Sequence, residues 1–357
     1  MRLFDKYCCP ECSGAIAKKE DEKLFCSKCS SIFRIKNGIP DFLKSGYVIG
    51  RKAGEDIIKL IDASNRIGWQ EAVRQVYKEA NFARCIMDYF KGNGCLVTSV
   101  KPESIVLDAG CGLGEISFFL AKICKEVHSL DFLPEYLEFM KIRATQDKEE
   151  NIFPVRGSFK QIIFKKNYFD LIIINNLLEH LSDYDTNYSV QDLAIGVLRK
   201  FNQVLKPGGE IYLGIENRFG LKYWLGAKDE YTDLRFISIL PRCIANLYSK
   251  LIKGKEYRDY TYSYNELKQL LQKANFKLKK VYMPVTSHKD IKFLVDLEES
   301  QSLAFAWRLM EKRLPRWRGF ILKNIGKMLF FFRLHRLHLQ HFFSHSFSIV
   351  AEKQAVS

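Results

Sequence analysis

The feature that most constrains the fold is a glycine-rich turn that follows a short apolar run. The run Ile105 to Leu107 predicts a buried strand. The turn after it contains one acid and three glycines, namely Asp108, Gly110, Gly112 and Gly114. Glycines there permit a sharp turn, let a ligand approach the backbone and lead into a helix whose N-terminus favours a negative group. The spacing G-x-G-x-G differs from the dinucleotide fingerprint G-x-G-x-x-G, which argues against NAD.

A second apolar strand, Val127 to Leu130, ends in Asp131, seventeen residues after Gly114. A carboxylate at the tip of the second parallel strand is placed to accept both ribose hydroxyls of an adenosine ligand. Either feature alone is consistent with ordinary loop architecture. Together, in a strand, turn, helix, strand context, they predict a site for an adenosine-containing cofactor.

The segment SIVLDAGCGLGEISFFLAK, followed by RATQDKEENIFPVRGSF and FDLIIINNLLEHL, resembles the class I S-adenosylmethionine-dependent methyltransferases of type 11. The resemblance covers residues 104–283 and the final strand, 345–353. It implies an α/β fold with a Rossmann-like seven-stranded sheet. It also implies that Asp131 holds the ribose and that Asp108 and the glycines hold the methionine end. The cofactor residues expected on this basis are Asp108, Gly110, Gly112, Gly114, Asp131, Ser158 and Asn175. Ser158 stands where many relatives place an acid for the adenine amino group.

Two cysteine pairs near the N-terminus predict a metal site. Cys9-x2-Cys12 and Cys26-x2-Cys29 are separated by thirteen residues, and two such knuckles bring four thiolates to one tetrahedral Zn²⁺. A segment of about 40 residues has too little core to fold without such a staple. Cys8 could replace Cys9, although Cys8-x3-Cys12 is the less usual knuckle. A vestigial or redox pair is the remaining interpretation.

The cysteine segment CCPECSGAI, with LFCSKCSSIFRIKNGIPDFL, resembles small zinc-ribbon proteins that activate tRNA and translation-factor methyltransferases. The resemblance covers residues 7–43. It leaves two roles open, either a folding staple that packs on the next domain or a docking module for RNA or protein.

The domain organisation follows from these motifs and from the spacing of apolar residues. Residues 46–100 show apolar positions at helical spacing and predict a helical linker or lid. The predicted units are a zinc ribbon at 1–45, the helical linker at 46–100 and a methyltransferase domain at 101–357. Helical insertions in the last unit are expected at 217–262 and 284–345.

His180 is the candidate catalytic residue. It stands just beyond the fourth strand, and a neutral imidazole could accept the proton of a hydroxyl acceptor. Methyl transfer from a sulfonium needs in-line placement above all, so a base is required only for such an acceptor. Packing or loop anchoring is the alternative role for this histidine.

The segment IENRFGLKYWLGAKDEYT, residues 215–232, resembles a group of bacterial methyltransferases encoded with surface-polysaccharide and lipopolysaccharide biosynthesis enzymes. It contains polar and aromatic side chains that would suit a sugar, namely Asn217, Arg218, Tyr223 and Trp224. The alternative is a structural loop over the cofactor.

The chain carries a net charge of +15, and the excess lies mainly in its last third. Residues 305–345 and 236–255 mix basic and aromatic or aliphatic residues, which is typical of an interfacial membrane segment. Helices packed on the core with a solvated basic face, or a nucleic-acid surface, are the alternatives. The start MRLFDKYCCPEC lacks the apolar stretch of a signal peptide. We therefore expect a cytoplasmic protein that can bind peripherally to the inner face of the membrane.

The predicted function is S-adenosylmethionine-dependent methyl transfer to a hydroxyl of a glycan or lipid-linked saccharide precursor, with S-adenosylmethionine and Zn²⁺ bound. An RNA methyltransferase is the runner-up, because a ribosomal-RNA guanine-methylating family also joins a zinc module to this fold. That module contains histidine, which residues 9–29 lack. A non-catalytic methyltransferase-like scaffold is the third interpretation, and the intact cofactor motif argues against it.

Overall fold

A computed structural model describes residues 4–20, 22–43, 54–183, 188–299, 301–303, 305, 341–342 and 344–354. Twelve strands and nine α-helices have both of their ends within these residues. The strands are β1 (Ile16–Glu20), β2 (Lys23–Cys26), β3 (Ile32–Lys36), β4 (Ile39–Asp41), β5 (Ile105–Ala109), β6 (Glu126–Asp131), β7 (Ile152–Arg156), β8 (Phe169–Asn175), β9 (Leu205–Glu216), β10 (Phe276–Ser287), β11 (Asp290–Asp296) and β12 (Ser346–Lys353). The helices are α1 (Glu55–Ile67), α2 (Trp69–Val76), α3 (Ala80–Met87), α4 (Glu115–Ala121), α5 (Pro134–Asp147), α6 (Val190–Val204), α7 (Leu221–Trp224), α8 (Arg242–Lys253) and α9 (Tyr264–Lys273). Within this part of the chain, no helix is both long and apolar enough to cross a membrane.

All twelve strands belong to one sheet in the order β1-β2-β3-β4-β7-β6-β5-β8-β9-β12-β10-β11. The expected seven-stranded sheet is therefore wrong in its strand count. Seven strands, from β7 to β10, form the middle of the sheet. Strands β5, β6, β7, β8 and β9 are parallel, and β12 runs antiparallel to both of its neighbours, β9 and β10. The sheet is longer because the N-terminal ribbon adds four strands at one edge and β11 adds one at the other.

Continuous apolar runs explain why the central strands are buried on both faces. In β8, FDLIIIN, only Asp170 is not fully buried, as is usual for parallel strands covered by helices. Leu107 of β5 is paired with Ile172 of β8. Helix α6 follows β8 in the chain. Its N-cap is Ser189, whose hydroxyl accepts a hydrogen bond from the backbone N–H of Asp192 at 3.1 Å.

The ribbon is joined to the rest of the molecule through strand pairing and a shared core. Asp41 of β4 is paired with Arg156 of β7 in parallel register. The ring of Tyr7 lies 5.2 Å from the ring of Phe42 and 5.4 Å from that of Phe164. These buried rings belong to the same apolar cluster as the central strands, so the ribbon has no separate hydrophobic core.

Helices α1, α2 and α3 cover the outer side of α5. The guanidinium of Arg143 is buried between the rings of Trp69 and Phe118, at 4.0 and 3.9 Å. The indole Nε1 of Trp69 donates to Asp147 at 2.8 Å. A 3₁₀ helix, Tyr89–Val97, then leads back towards the sheet. The helical residues expected at 46–100 therefore pack on the domain.

Of the two expected insertions, the first contains α7, a 3₁₀ turn at Ile237–Ile239 and α8. The second begins with the end of β10 and with β11, which pairs antiparallel with β10 and extends the sheet. Residues 306–340 lie outside the described residues. The basic, aromatic segment expected at 305–345 therefore stays a prediction.

Candidate cofactor and acceptor site

The glycine-rich turn connects β5 to α4 with the geometry that its glycines allow. Gly114 precedes α4 at φ +86°, where an L side chain is strained, and a Cβ there would lie 2.9 Å from Cε of Met140. The backbone N–H of Gly110 donates to Leu130 at 2.8 Å. The turn is thus fixed against the end of β6, where Asp131 stands.

The Asp131 carboxylate is oriented by three backbone N–H groups. One oxygen, Oδ2, accepts from Gly112 at 3.0 Å, and Oδ1 accepts from Phe132 at 2.7 Å and from Leu133 at 3.0 Å. Asp131 is 4% exposed. The carboxylate is therefore held in one orientation beside the glycine turn. Carboxylate oxygens also accept hydrogen bonds from hydroxyl groups.

A cavity of about 230 Å³ opens beside Asp131 at the carboxyl ends of β5, β6 and β8. Its lining is Lys91, Gly110, Cys111, Gly112, Leu113, Glu115, Asp131, Phe132, Leu133, Tyr136, Asn175, Asn176, Leu177 and His180. Five of the predicted site residues are brought together here, namely Gly110, Gly112, Asp131, Asn175 and His180. The other three, Asp108, Gly114 and Ser158, are not part of the lining.

Asp108 lies beneath the turn. Its Oδ2 accepts a 2.6 Å hydrogen bond from Ser117, which is also bonded to Ser129 at 2.8 Å. Burial raises the pKa of Asp108 to about 7, although the Ser117 bond opposes the shift. Asp108 therefore supports the turn from below, and its contact with the methionine end stays a prediction.

Ser158 is also buried, at 2% exposure. Its hydroxyl accepts from the backbone N–H of Lys160 at 3.1 Å, which closes a local turn after β7. The structure does not bring Ser158 into the cavity lining, so an adenine contact there stays a prediction.

Asn175 lines the cavity, and its side-chain amide packs against Gly214 of β9. Its amide nitrogen donates to the His288 carbonyl at 3.4 Å. Its Oδ1 is buried and has no hydrogen-bond partner among the described residues. A Cβ on Gly214 would clash with this oxygen, so the small residue in β9 leaves the space that the amide occupies.

Lys91 and Glu115 line the cavity next to the glycine turn, and no sequence motif marks them. Lys91 Nζ donates to Glu115 Oε1 at 3.2 Å. Burial lowers the pKa of Lys91, but the interaction with Glu115 outweighs it and the net shift is upward. Lys91 comes from the 3₁₀ helix before β5, so the helical linker supplies a side chain to the site.

His180 belongs to a hydrogen-bonded chain on the other side of the cavity. The Tyr231 hydroxyl donates to Asn176 Oδ1 at 2.9 Å, which directs the Asn176 amide nitrogen towards His180 Nε2 at 3.4 Å. His180 Nδ1 lies 3.6 Å from an Asp259 carboxylate oxygen. A carboxylate there favours the Nδ1–H tautomer, which leaves Nε2 as the acceptor.

A second group of charged residues is buried behind this chain, at the end of β9. Glu216 contacts Lys222 Nζ at 2.9 Å and lies 3.6 Å from His288 Nδ1. Burial raises the pKa of Glu216 to about 7, opposed by Lys222. Burial also holds the pKa of His288 well below its usual range, so this imidazole is neutral. Sequence patterns gave no sign of this cluster, because its members are distant in the chain.

The four residues expected to suit a sugar have other partners. Arg218 donates to Glu266 at 2.6 Å and to the carbonyls of Ser238 and Leu240. Asn217 donates to the carbonyls of His341 and Ser344. Tyr223 is fully buried and donates to Glu216, and Trp224 is half exposed, with its ring 6.3 Å from that of Phe342. The sugar interpretation is therefore wrong for Asn217, Arg218 and Tyr223, since their polar groups stabilise the loop itself.

The four cysteines expected to bind metal meet at one point of the ribbon. Their sulfurs all lie within 4.8 Å of one another, and the closest pairs are Cys12 and Cys26 at 3.5 Å and Cys9 and Cys29 at 3.6 Å. A tetrahedral ion with Zn–S bonds of about 2.3 Å needs sulfurs about 3.8 Å apart. A Cβ on Gly14 would lie 2.9 Å from the Cys26 sulfur. The thiol set thus fits Zn²⁺, and Cys8 instead directs its sulfur to the Phe164 carbonyl at 3.3 Å.

The part of the chain that lines most of the cavity is similar to known methyltransferases. Residues 107–213 match a family model described as a methyltransferase domain. The chain is 26% identical over 117 residues to the ubiquinone biosynthesis O-methyltransferase of Xanthomonas campestris, which is 33% of this chain and 45% of that protein. The Xanthomonas oryzae protein of the same name is 26% identical over 113 residues, or 32% and 43% of the two chains. The chain thus spans less than half the length of these relatives.

Among solved structures, an S-adenosylmethionine-dependent methyltransferase from Methanosarcina mazei superposes with a TM-score of 0.42 and 16% identity. The superposition covers 72% of this chain and 95% of that one.

Proposed function

We propose that this chain, whose residues 107–213 form a methyltransferase domain, transfers the methyl group of S-adenosylmethionine to a hydroxyl oxygen. The observation that carries the proposal is one cavity lined by the glycine turn, by Asp131 and by His180. When bound, S-adenosylmethionine supplies a methyl group on a sulfonium sulfur and leaves as S-adenosylhomocysteine.

In this proposal, the cofactor is held by the residues on one side of the cavity. Asp131 binds the ribose hydroxyls through its carboxylate oxygens. The backbone at Gly110 and Gly112 leaves room for the methionine end of the cofactor. Lys91 would face its carboxylate and Glu115 its ammonium group. Asn175 contributes to the wall of the cavity beside the glycine turn.

His180 is the proposed general base. Its Nε2 takes the hydroxyl proton as the new O–CH₃ bond forms, and Asp259 stabilises the resulting imidazolium. The Asn176 amide nitrogen lies 3.4 Å from this Nε2 atom, and in the proposed reaction the acceptor hydroxyl takes the place of this long hydrogen bond. Tyr231 holds Asn176 in place, so the base is oriented from two sides.

The acceptor class that we propose is a hydroxyl of a glycan or lipid-linked saccharide precursor. The oxygen acceptor is supported by the base arrangement at His180 and by the O-methyltransferase name of the Xanthomonas relatives. The saccharide is supported by the resemblance of residues 215–232 to methyltransferases of surface-polysaccharide biosynthesis. RNA is the competing acceptor. The fraction that receives the methyl group distinguishes RNA from a saccharide.

We further propose that Zn²⁺ is bound by Cys9, Cys12, Cys26 and Cys29 and has a structural role. All four positions of the tetrahedron are then protein ligands, so none is open for chemistry. Because the ribbon shares its core with the methyltransferase domain, the ion would stabilise the whole molecule.

Methyl transfer can be followed without knowing the acceptor in advance. The zinc-loaded protein would be incubated with tritium-labelled S-adenosylmethionine and with lipid, glycan or RNA extracts of the source cells. We expect label in a lipid or glycan fraction as an alkali-stable ether, and none with Asp131→Ala. Label in RNA alone would overturn the proposed saccharide acceptor. Absence of label in every fraction would favour the interpretation as a non-catalytic, methyltransferase-like scaffold.

A further inference from the structure

Helix α8, Arg242–Lys253, exposes its apolar side to solvent. It packs on the protein through two small residues, Ala245 and Ser249, which are buried. Its large aliphatic side chains are far more exposed, namely Ile244 at 49%, Leu247 at 58%, Leu251 at 74% and Ile252 at 60%. Three of them are spaced three and four residues apart, which places them on one face of the helix. A helix covered only by water would present polar groups there.

The apolar exposure continues beyond the helix. Leu225 is 78% exposed and Phe236 is 45% exposed. The Phe236 ring adjoins the same loop, since a Cβ on Gly226 would lie 3.3 Å from its Cζ. Phe236 directly precedes Ile237, which packs with Ala245 in one buried cluster. The exposed residues of α7, of the loop and of α8 therefore belong to one part of the molecule.

The same segment is basic. Residues 242–255 contain four cations and no acid. Two have internal partners, since Arg242 contacts Glu266 at 3.5 Å and Lys250 contacts Glu256 at 2.9 Å. Within the described residues, Lys253 and Lys255 make no ion pair. Each ammonium near an anionic leaflet adds about 1 kcal/mol of attraction.

We propose that this α8 surface, defined by Ile244, Leu247, Leu251, Ile252, Lys253 and Lys255, docks on an anionic lipid bilayer. Aliphatic side chains enter the boundary between headgroups and acyl chains, while the lysines remain at the phosphates. Residues 306–340 of the same chain are unsuited to cover this surface. They contain nine basic residues and one acid, so their net positive charge would repel the cations of α8. The charge of both segments instead suits one shared anionic partner.

The α8 surface belongs to the same insertion as two residues beside His180. The insertion that carries α8 also supplies Asp259, at 3.6 Å from His180, and Tyr231, which donates to Asn176. Docking would bring the acceptor side of the cavity to the bilayer, where a lipid-linked acceptor is confined. The inference goes beyond the proposed function, because methyl transfer itself does not require a membrane.

The test is flotation of the full-length, zinc-loaded protein with vesicles of phosphatidylcholine alone or mixed with phosphatidylglycerol. The variant Leu247→Gln with Leu251→Gln removes apolar contact at positions that are exposed and so should fold normally. Ile58→Gln with Ile67→Gln is the matched control, since these α1 residues are 54% and 49% exposed. Affinity for S-adenosylhomocysteine would verify that each variant retains its site.

We expect binding to mixed vesicles, a loss of about tenfold or more in the partition coefficient for the α8 variant, and no loss for the α1 control. Lys253→Ser with Lys255→Ser should weaken binding mainly at low salt. Absence of vesicle binding by the wild type, or equal binding by the α8 variant, would overturn the proposal. So would a dimer that the α8 variant abolishes, because the occupant would then be a second copy. None of these outcomes would affect the methyl-transfer assay.

Discussion

The Asp41 carboxylate of the ribbon accepts a 2.7 Å hydrogen bond from Nη1 of Arg156, at the end of β7. Nε of the same Arg156 donates to the Phe132 carbonyl at 3.0 Å. Phe132 lines the cavity, and its backbone N–H donates to Asp131. One guanidinium thus joins the ribbon to the loop that orients the Asp131 carboxylate.

We predict that Asp41→Ala weakens binding of S-adenosylhomocysteine by about three- to tenfold, because Arg156 loses its anchor and the Phe132 loop loses order. Isothermal titration calorimetry measures the affinity. Asp296→Ala is the matched control, since it breaks a 2.7 Å pair with Lys280 at the far edge of the sheet. Equal affinities for Asp41→Ala and the wild type would show that the ribbon does not influence the cofactor site.

Removal of the metal should destabilise the whole molecule. Cys26→Ser with Cys29→Ser takes away two of the four thiols, so we expect the zinc content to fall from about one ion per chain to none. We also expect a single cooperative unfolding transition at a lower temperature, because the ribbon and the central sheet share one core. Elemental analysis and calorimetry measure these two results. Full zinc retention, or an unchanged transition, would contradict the assignment.

The buried carboxyl of Asp108 should make stability fall as pH rises. Its pKa is raised to about 7 in the folded state, chiefly by burial, against about 3.9 when unfolded. Between these values the folded state binds more protons, so this group's contribution is complete below pH 4 and is lost as pH rises towards 7.

Asp108→Asn should therefore gain stability relative to the wild type from pH 5 to pH 7, by at most about 1.4 kcal/mol per pH unit. Urea unfolding of both proteins without cofactor measures the difference. A difference that is the same at every pH would mean that Asp108 is ionised throughout.

His180 should affect the chemical step more than cofactor binding. Once an acceptor is identified, we expect His180→Ala to lower kcat by about 10²- to 10⁴-fold while the affinity for S-adenosylhomocysteine changes little. Added imidazole should restore part of the activity, which distinguishes a base from a packing residue. Asp259→Asn should show a smaller loss in kcat. Full activity of His180→Ala would exclude the base role.

The sequence predicts the centre of this molecule well, because its signals there are local. The glycine turn, Asp131 and the two cysteine knuckles depend on residues close together in the chain, and the structure places each group as its spacing requires. The count of seven strands failed because pairing of Asp41 with Arg156 joins segments 115 residues apart, which no periodicity reveals.

The acceptor side could not be predicted in the same way. Asn217 and Arg218 have the chemistry of sugar ligands, but whether their polar groups face a cleft or the protein interior depends on tertiary packing. Lys91, Glu216 and Tyr231 come from separate elements and contribute to one region only after folding. Exposure of the α8 leucines is likewise set by which face of the helix finds a partner.

The central claim is that Asp131 and the glycine turn bind S-adenosylmethionine. Its most direct test is calorimetric titration of the zinc-loaded wild type and of Asp131→Ala with S-adenosylmethionine. We predict one site per chain in the wild type and a loss of roughly 1.5–3 kcal/mol in the variant, because charge-assisted hydrogen bonds to the ribose disappear. Asp296→Ala, which breaks the pair with Lys280 at the far edge of the sheet, should retain the affinity. Absence of binding by the wild type, or unchanged affinity in Asp131→Ala, would contradict the claim.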